Sequence, residues 1–218
     1  MLFNRSFIIE IVKSHYFSIF IILLFHISGL IGLTTSSKGW FLSQTPLNLL
    51  LSFFVLIRHE DFKNIKLTIL ISLIFILSFF LEVLGTNTGL IFGNYHYGPV
   101  LGFGFFNTPI MIGINWFIMV FCIGVVLNRM NCSIYIKSLL GAAIMTISDY
   151  IIEPVAVAYN FWKWETPLIP IQNYISWFIF SYLFLLIFYK FKIESNNKVA
   201  PWLLMTQIIF FLTLNLLI

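Results

Sequence analysis

The chain has 218 residues, of which 60% are hydrophobic, 19% aromatic and only 9% charged, with a mean hydropathy of +0.99. That composition excludes a soluble domain of this length and identifies an integral membrane protein. The net charge of +4 would suggest an acidic partner in a soluble protein, but in a membrane protein a basic excess ordinarily reflects the cytoplasmic loops, so no nucleic-acid partner is expected.

Crossing a bilayer takes about 17 to 25 mostly apolar residues. Runs that meet or approach this length lie at Tyr16 to Leu33, Phe41 to Ile57, Leu67 to Leu84, Thr108 to Leu127, Ser138 to Tyr159, Tyr174 to Tyr189 and Pro201 to Ile218. The expected fold is all-α, a polytopic bundle of about seven transmembrane helices forming one domain over residues 1–218. The first run is long for the apolar part of a signal peptide and leads into TTSSKGW rather than a small-x-small cleavage site, so it reads as a retained helix. Pro46 interrupts the second. Cys122, in an apolar run, and Cys132, in a short polar loop, provide neither a disulfide framework nor a paired metal-thiolate motif.

The basic residues alternate with the runs. Arg5 and Lys13 precede the first, Arg58, Lys63 and Lys66 follow the second, Arg129 and Lys137 follow the fourth, and Lys190, Lys192 and Lys198 follow the sixth. The loops of opposite parity hold only Lys38 and Lys163. The positive-inside rule therefore places the N-terminus in the cytoplasm and the C-terminus outside.

The third loop, on the outer side, contains FGNYHYGPVLG between Phe92 and Gly102. Its glycines oppose a regular helix, while its apolar residues oppose a solvated linker, so it is expected to fold back onto the bundle. Irregular backbone at membrane depth is tolerated only where it is buried in protein or lines a cavity.

Acids inside membrane spans are costly and usually face a bundle interior. Glu82 lies late in the third run, and Asp149 and Glu153 lie in SDYIIEP of the fifth. From the helical rise, Asp149 is roughly 16 Å and Glu82 and Glu153 roughly 22 Å from the cytoplasmic starts of their helices. Asp149 and Glu153, four residues apart, share a face with Ala142, Thr146 and Ala156. Asn115, about 10 Å below the outer start of its helix, and Asn173 reach the same level. Two carboxyls one turn apart in a low-dielectric site cannot both ionise cheaply, so one of the pair is expected to hold a proton. Beside tyrosine and tryptophan faces that stabilise a cation, such a group suits acid chemistry on an alkene: protonation to a tertiary cation, then capture by water or loss of a proton. Against this stand plainer readings: interhelical hydrogen bonding for the Asp149 and Glu153 pair, solvation for Glu82, a satisfied loop histidine for His96, a packed polar residue for His26, and an aromatic belt for the tryptophans.

Four stretches occur in order: NTGLIFGNYHYGPVLG, TPIMIGINW, SDYIIEPVAVAYNFWKWE and IPIQNYISWF. Through them the chain resembles the membrane carotenoid biosynthesis family that includes carotenoid hydratases. The resemblance implies water addition to the terminal double bond of an acyclic carotenoid end group, without a redox cofactor or metal. It maps the family's acids onto Asp149 and Glu153: one would protonate the alkene while the other, with Asn115, His96 or Asn173, orients water. Tyr95, Tyr97 and Trp162 would shield the cation, and Trp116, Trp164, Asn173 and Glu82 complete the expected substrate-binding set. The implied partners are a hydrophobic carotenoid and the lipid bilayer, and the expected location is a bacterial cytoplasmic membrane. A cyclase that shares the protonation step, a proton-coupled carrier and a non-catalytic membrane interaction protein are the competing readings. An intramembrane prenyltransferase fits poorly, since few basic residues accompany the acids to hold a diphosphate.

Overall fold

The computed structural model describes residues 14–61 and 63–218; Arg5 and Lys13 lie outside the described residues. In hydrocarbon no water is present to satisfy backbone N–H and C=O groups, so the apolar runs close their hydrogen bonds internally as helices. The helices are α1 (His15–Leu33), α2 (Lys38–Ser43), α3 (Thr45–Ile57), α4 (Ile65–Thr88), α5 (Ile110–Asn128), α6 (Ile134–Ala158), α7 (Ile171–Lys190) and α8 (Val199–Asn215). Five of them, α1, α4, α5, α6 and α7, are long and apolar enough to cross a membrane, whereas α3 and α8 are shorter apolar helices. The protein is an integral membrane protein.

Two departures from the expected elements have local causes. The second run divides at Gln44 into α2 and α3, with Pro46 in the first turn of α3, where its missing N–H breaks no helical bond. The chain is also not purely helical. The loop between α4 and α5 forms β1 (Tyr95–Tyr97), a short 3-10 turn (Pro99–Leu101), β2 (Gly104–Phe105) and β3 (Thr108–Pro109), and the loop between α6 and α7 forms β4 (Trp162–Trp164). β2 and β3 pair as a tight hairpin across Phe106 and Asn107, both at positive φ.

Side-chain caps mark several helix starts. Ser14, Asn64 and Ser133 each accept a backbone N–H in the first turn of α1, α4 and α6. Asn197 Oδ1 does the same for α8, accepting from Val199 and Ala200. At its other end α4 stops at Gly89, whose φ of 67° turns the chain into the long loop at no steric cost to glycine.

α5 is the hub, packing on α3, α4, α6, α7 and α8. Thirteen of its nineteen residues are buried, as expected of a helix that is apolar all round. Large apolar side chains such as Phe20, Ile76, Ile147, Ile179 and Ile209 lie exposed on the outer helices and form the lipid-facing surface.

Contacts at the helix ends group the loops. His15 stacks on His59 with ring centroids 4.2 Å apart, and Glu60 accepts from Ser195 and Asn197, which ties the starts of α1 and α8 to the end of α3. At the opposite end, Lys38 Nζ lies 4.1 Å from the centroid of the Tyr159 ring, and β1 pairs with β4.

Candidate active site

The site begins with that strand pair. Tyr95 lies opposite Trp164, His96 opposite Lys163 and Tyr97 opposite Trp162. Side chains alternate across a strand, so the four aromatic residues face the bundle while His96 and Lys163 are exposed on the other face. Gly98 follows β1, and its N–H donates to Phe161 O at 2.8 Å. A Cβ at this position would stand 2.0 Å from Asn160 O, so only glycine allows the two loops to meet this closely. Further anchors hold the loop down: Gln172 and Ser176 of α7 donate to the carbonyls of Leu90 and Ile91, and the Glu165 amide donates to Asn94 O at 3.0 Å.

Under this cover lie two carboxyl centres. In the first, Glu82 Oε2 accepts from the hydroxyls of Tyr95 at 2.6 Å and Tyr97 at 2.7 Å, and Oε1 accepts from Trp116 Nε1 at 2.8 Å. Burial pushes both phenols well above the usual tyrosine range, with the Glu82 charge adding to it, so both remain O–H donors. Trp116 is held flat by Trp177, stacked at 4.0 Å. In the second centre, Asn173 Nδ2 donates to Asp149 Oδ2 at 2.8 Å and to Glu153 Oε1 at 3.3 Å. Glu153 Oε2 accepts from Trp162 Nε1 and Trp164 Nε1, both at 3.0 Å. Oδ1 of Asp149 has no hydrogen-bond partner among the described residues. Glu82, Asp149 and Glu153 are 3%, 2% and 1% exposed, so these hydrogen bonds carry their solvation.

All three acids line one cavity of about 20 Å³ together with Tyr95, Tyr97 and Asn173, space for a single water-sized group. Beside it is an apolar chamber of about 500 Å³, within the size range of small-molecule sites. The chamber is lined from α1, α2, α3, α5, α6 and α8, and Ile112 and Trp162 border both spaces.

Of the residues expected from sequence, Asp149, Glu153, Glu82, Tyr95, Tyr97, Trp162, Trp164 and Asn173 line the acid cavity, and Trp116 joins through its bond to Glu82. Two do not. His96 points away from the acids because strand alternation reverses it relative to its flanking tyrosines. Asn115 faces the large chamber instead, since successive helical residues point about 100° apart and its neighbour Trp116 takes the acid side. The acids are therefore covered by the two tyrosines with Trp162 and Trp164, without the histidine. Trp177, Gln172 and Ser176 are contributors that sequence reasoning missed; Gln172 next to Asn173 was the available signal. Among the described residues no group of three His, Cys, Asp or Glu side chains is arranged to hold a metal ion.

Fold and site together define an integral membrane protein with carboxyl groups buried among aromatic and amide donors at one end of its bundle. The chain belongs to the carotenoid biosynthesis protein family, which it matches over residues 45–218. It is also similar to bisanhydrobacterioruberin hydratase of Haloarcula japonica, 29% identical over 125 residues that make up 51% of this chain and 41% of that protein. The chain thus spans less than half the length of that curated relative. No solved structure matches it.

Proposed function

We propose that this protein is a carotenoid hydratase, a cofactor-independent hydro-lyase that adds water to the terminal double bond of an acyclic carotenoid end group. The observation that carries the reading is the Asp149 and Glu153 pair, bridged by Asn173 and set behind Trp162 at the edge of an apolar chamber. Family membership and the hydratase relative support the same conclusion.

The polyene lies in the chamber with its end group against Trp162. Asp149, whose Oδ1 is free, gives its proton to the less substituted alkene carbon, and the π electrons form that C–H bond. A tertiary cation remains on the neighbouring carbon, shielded by the ring faces of Trp162 and Tyr97. A water oxygen forms the new C–O bond and loses a proton to the carboxylate pair, which restores the acid. No electrons are gained or lost overall, so the reaction needs no redox cofactor. Glu82 acts as a positioning residue: by holding Tyr95, Tyr97 and Trp116 it fixes the aromatic wall.

In this reading α3 and α8 also cross the bilayer, giving seven crossings. The charge alternation then puts the N-terminus in the cytoplasm, in a bacterial cytoplasmic membrane, with the acid cavity toward the outer face. The test is pigment analysis of lycopene-accumulating bacterial cells that express the wild type or the Asp149→Asn/Glu153→Gln double variant, with membrane insertion of both checked by detergent-solubilised size-exclusion chromatography. A product heavier by one water that disappears in the folded double variant is the expected result. An isomeric product of unchanged mass would replace hydratase by cyclase, and water addition that survives in the double variant would remove these acids from the chemistry.

A further inference from the structure

Opening from the large chamber is a second small cavity of about 20 Å³, separate from the acid cavity and lined by Asn115 and Met119 of α5, Ser148 of α6, and Gln207 and Phe211 of α8. Asn115 and Gln207 also line the chamber, so the niche is its side pocket. Gln207 is 9% exposed, and its Oε1 is a buried polar atom with no hydrogen-bond partner among the described residues. The Asn115 side chain likewise has no partner there. Ser148 already donates its proton to Ile144 O at 2.8 Å and so offers the niche only its lone pairs. From α3, Asn48 adds another buried and unpartnered amide oxygen to the chamber wall.

Buried polar groups are ordinarily paired, and an unpaired one carries its full desolvation penalty. Two amides and a hydroxyl oxygen, from three helices, turned toward one water-sized space form a set that one ligand can satisfy. No charged side chain lines the niche, which disfavours an ion. A ketone cannot donate to Gln207 Oε1. A neutral O–H group does: it donates to Oε1 and accepts from an amide N–H, and its oxygen fits the available volume.

We propose that this niche is a binding site for a neutral O–H group, either a water molecule or a tertiary alcohol carried by a chain lying in the chamber. As the store of the hydrating water, or the rest for the product's hydroxyl, it depends on the hydratase reading; as a hydroxyl site it does not. The niche lies along α6 from the acids, since Ile151 and Ile152, between Asp149 and Glu153, line it as well.

The test therefore uses ligands that cannot react: tetrahydromyrcenol, a saturated branched tertiary alcohol, and its parent alkane. Binding of each to the full chain in nanodiscs is followed by quenching of intrinsic tryptophan fluorescence, for the wild type, Gln207→Leu and Asn115→Leu. Comparing alcohol-to-alkane ratios between proteins cancels the solvation of the free ligands. If a ligand hydroxyl is the occupant, the wild type favours the alcohol by about fivefold for each hydrogen bond gained, and Gln207→Leu loses that preference while still binding the alkane. If water is the occupant, the alcohol gains nothing, but X-ray radiolytic labelling, which oxidises side chains next to bound water, marks Met119 or Phe211 in the wild type and spares them in Gln207→Leu. Wild type and Gln207→Leu matching in both measurements would overturn the proposal.

Discussion

Replacing Glu82 by leucine should loosen the whole end of the bundle that β1 and β4 cover, and the hydrogen-bond geometry sets the size of the effect. Three donors converge on its two oxygens, and they differ in what they can fall back on. Trp116 is 0% exposed and its indole N–H has no other acceptor, so it bears the full penalty of a buried orphan, about 1–3 kcal/mol. Tyr95 has the Thr86 hydroxyl 3.3 Å away and Tyr97 is only partly buried, so each loses about 1 kcal/mol, the net value of an ordinary hydrogen bond. Together the loss is about 3–5 kcal/mol.

At the rate of about 2–4 °C per kcal/mol for a chain of this size, Glu82→Leu should lower the melting temperature in nanodiscs by roughly 6–20 °C. Glu82→Gln keeps one acceptor oxygen and should lose less than half as much. Differential scanning fluorimetry on the three proteins measures both numbers. A leucine variant melting within about 3 °C of the wild type, or a glutamine variant as unstable as the leucine one, would mean that the carboxylate is not what ties the tyrosine strand to α4 and α5.

His96→Ala should change stability by less than about 0.5 kcal/mol, because the side chain is exposed and away from the acids, and should keep at least half of the wild-type pigment conversion; a tenfold loss in folded protein would return this histidine to the mechanism. At the opposite end, burial, then repulsion from His15, then from Arg58, holds the His59 imidazole down to about 4. The unfolded chain takes up this proton near pH 6.5 and the folded one only near pH 4, so the contribution of neutral His59 is present above pH 6.5 and lost as pH falls through that window. His59→Gln should flatten the fall in melting temperature over this range by the equivalent of less than about 1 kcal/mol, the exposure of the ring screening the effect. Glu60 next to it, whose carboxyl burial raises, acts in the opposite direction but is common to both proteins, so matching pH profiles would refute the assignment to His59.

How much of this was legible in the sequence depended on the range of the signal. The helices follow from local apolar runs and the acid pair from an i, i+4 spacing, both of which a single helix determines by itself. The fan on Glu82 joins residues 13, 15 and 34 positions away, and nothing local announces it. The strand pair is an intermediate case. Tyr-His-Tyr and Trp-Lys-Trp both alternate aromatic and polar residues with a period of two, the strand signature, but three residues are too few to call a strand when the partner lies more than sixty positions away. Reading the loop as a cluster put His96 beside the acids; reading it as a strand turns it outward, with Lys163, and leaves four aromatic rings to cover them.

The same reasoning explains Asn115. Depth along the membrane was readable from the helical rise and placed it level with the acids, but azimuth around α5 was not, because a helix buried on nearly every side has no polar face to orient it. Only packing decides that Trp116 meets Glu82 while Asn115 lines the chamber and its side niche with Gln207. If the niche holds the hydrating water of the proposed reaction, water and acid are held apart along α6, which presents Asp149 and Glu153 to the acid cavity and Ile151 and Ile152 to the niche. In that reaction the separation would favour protonation of the alkene before water reaches the cation.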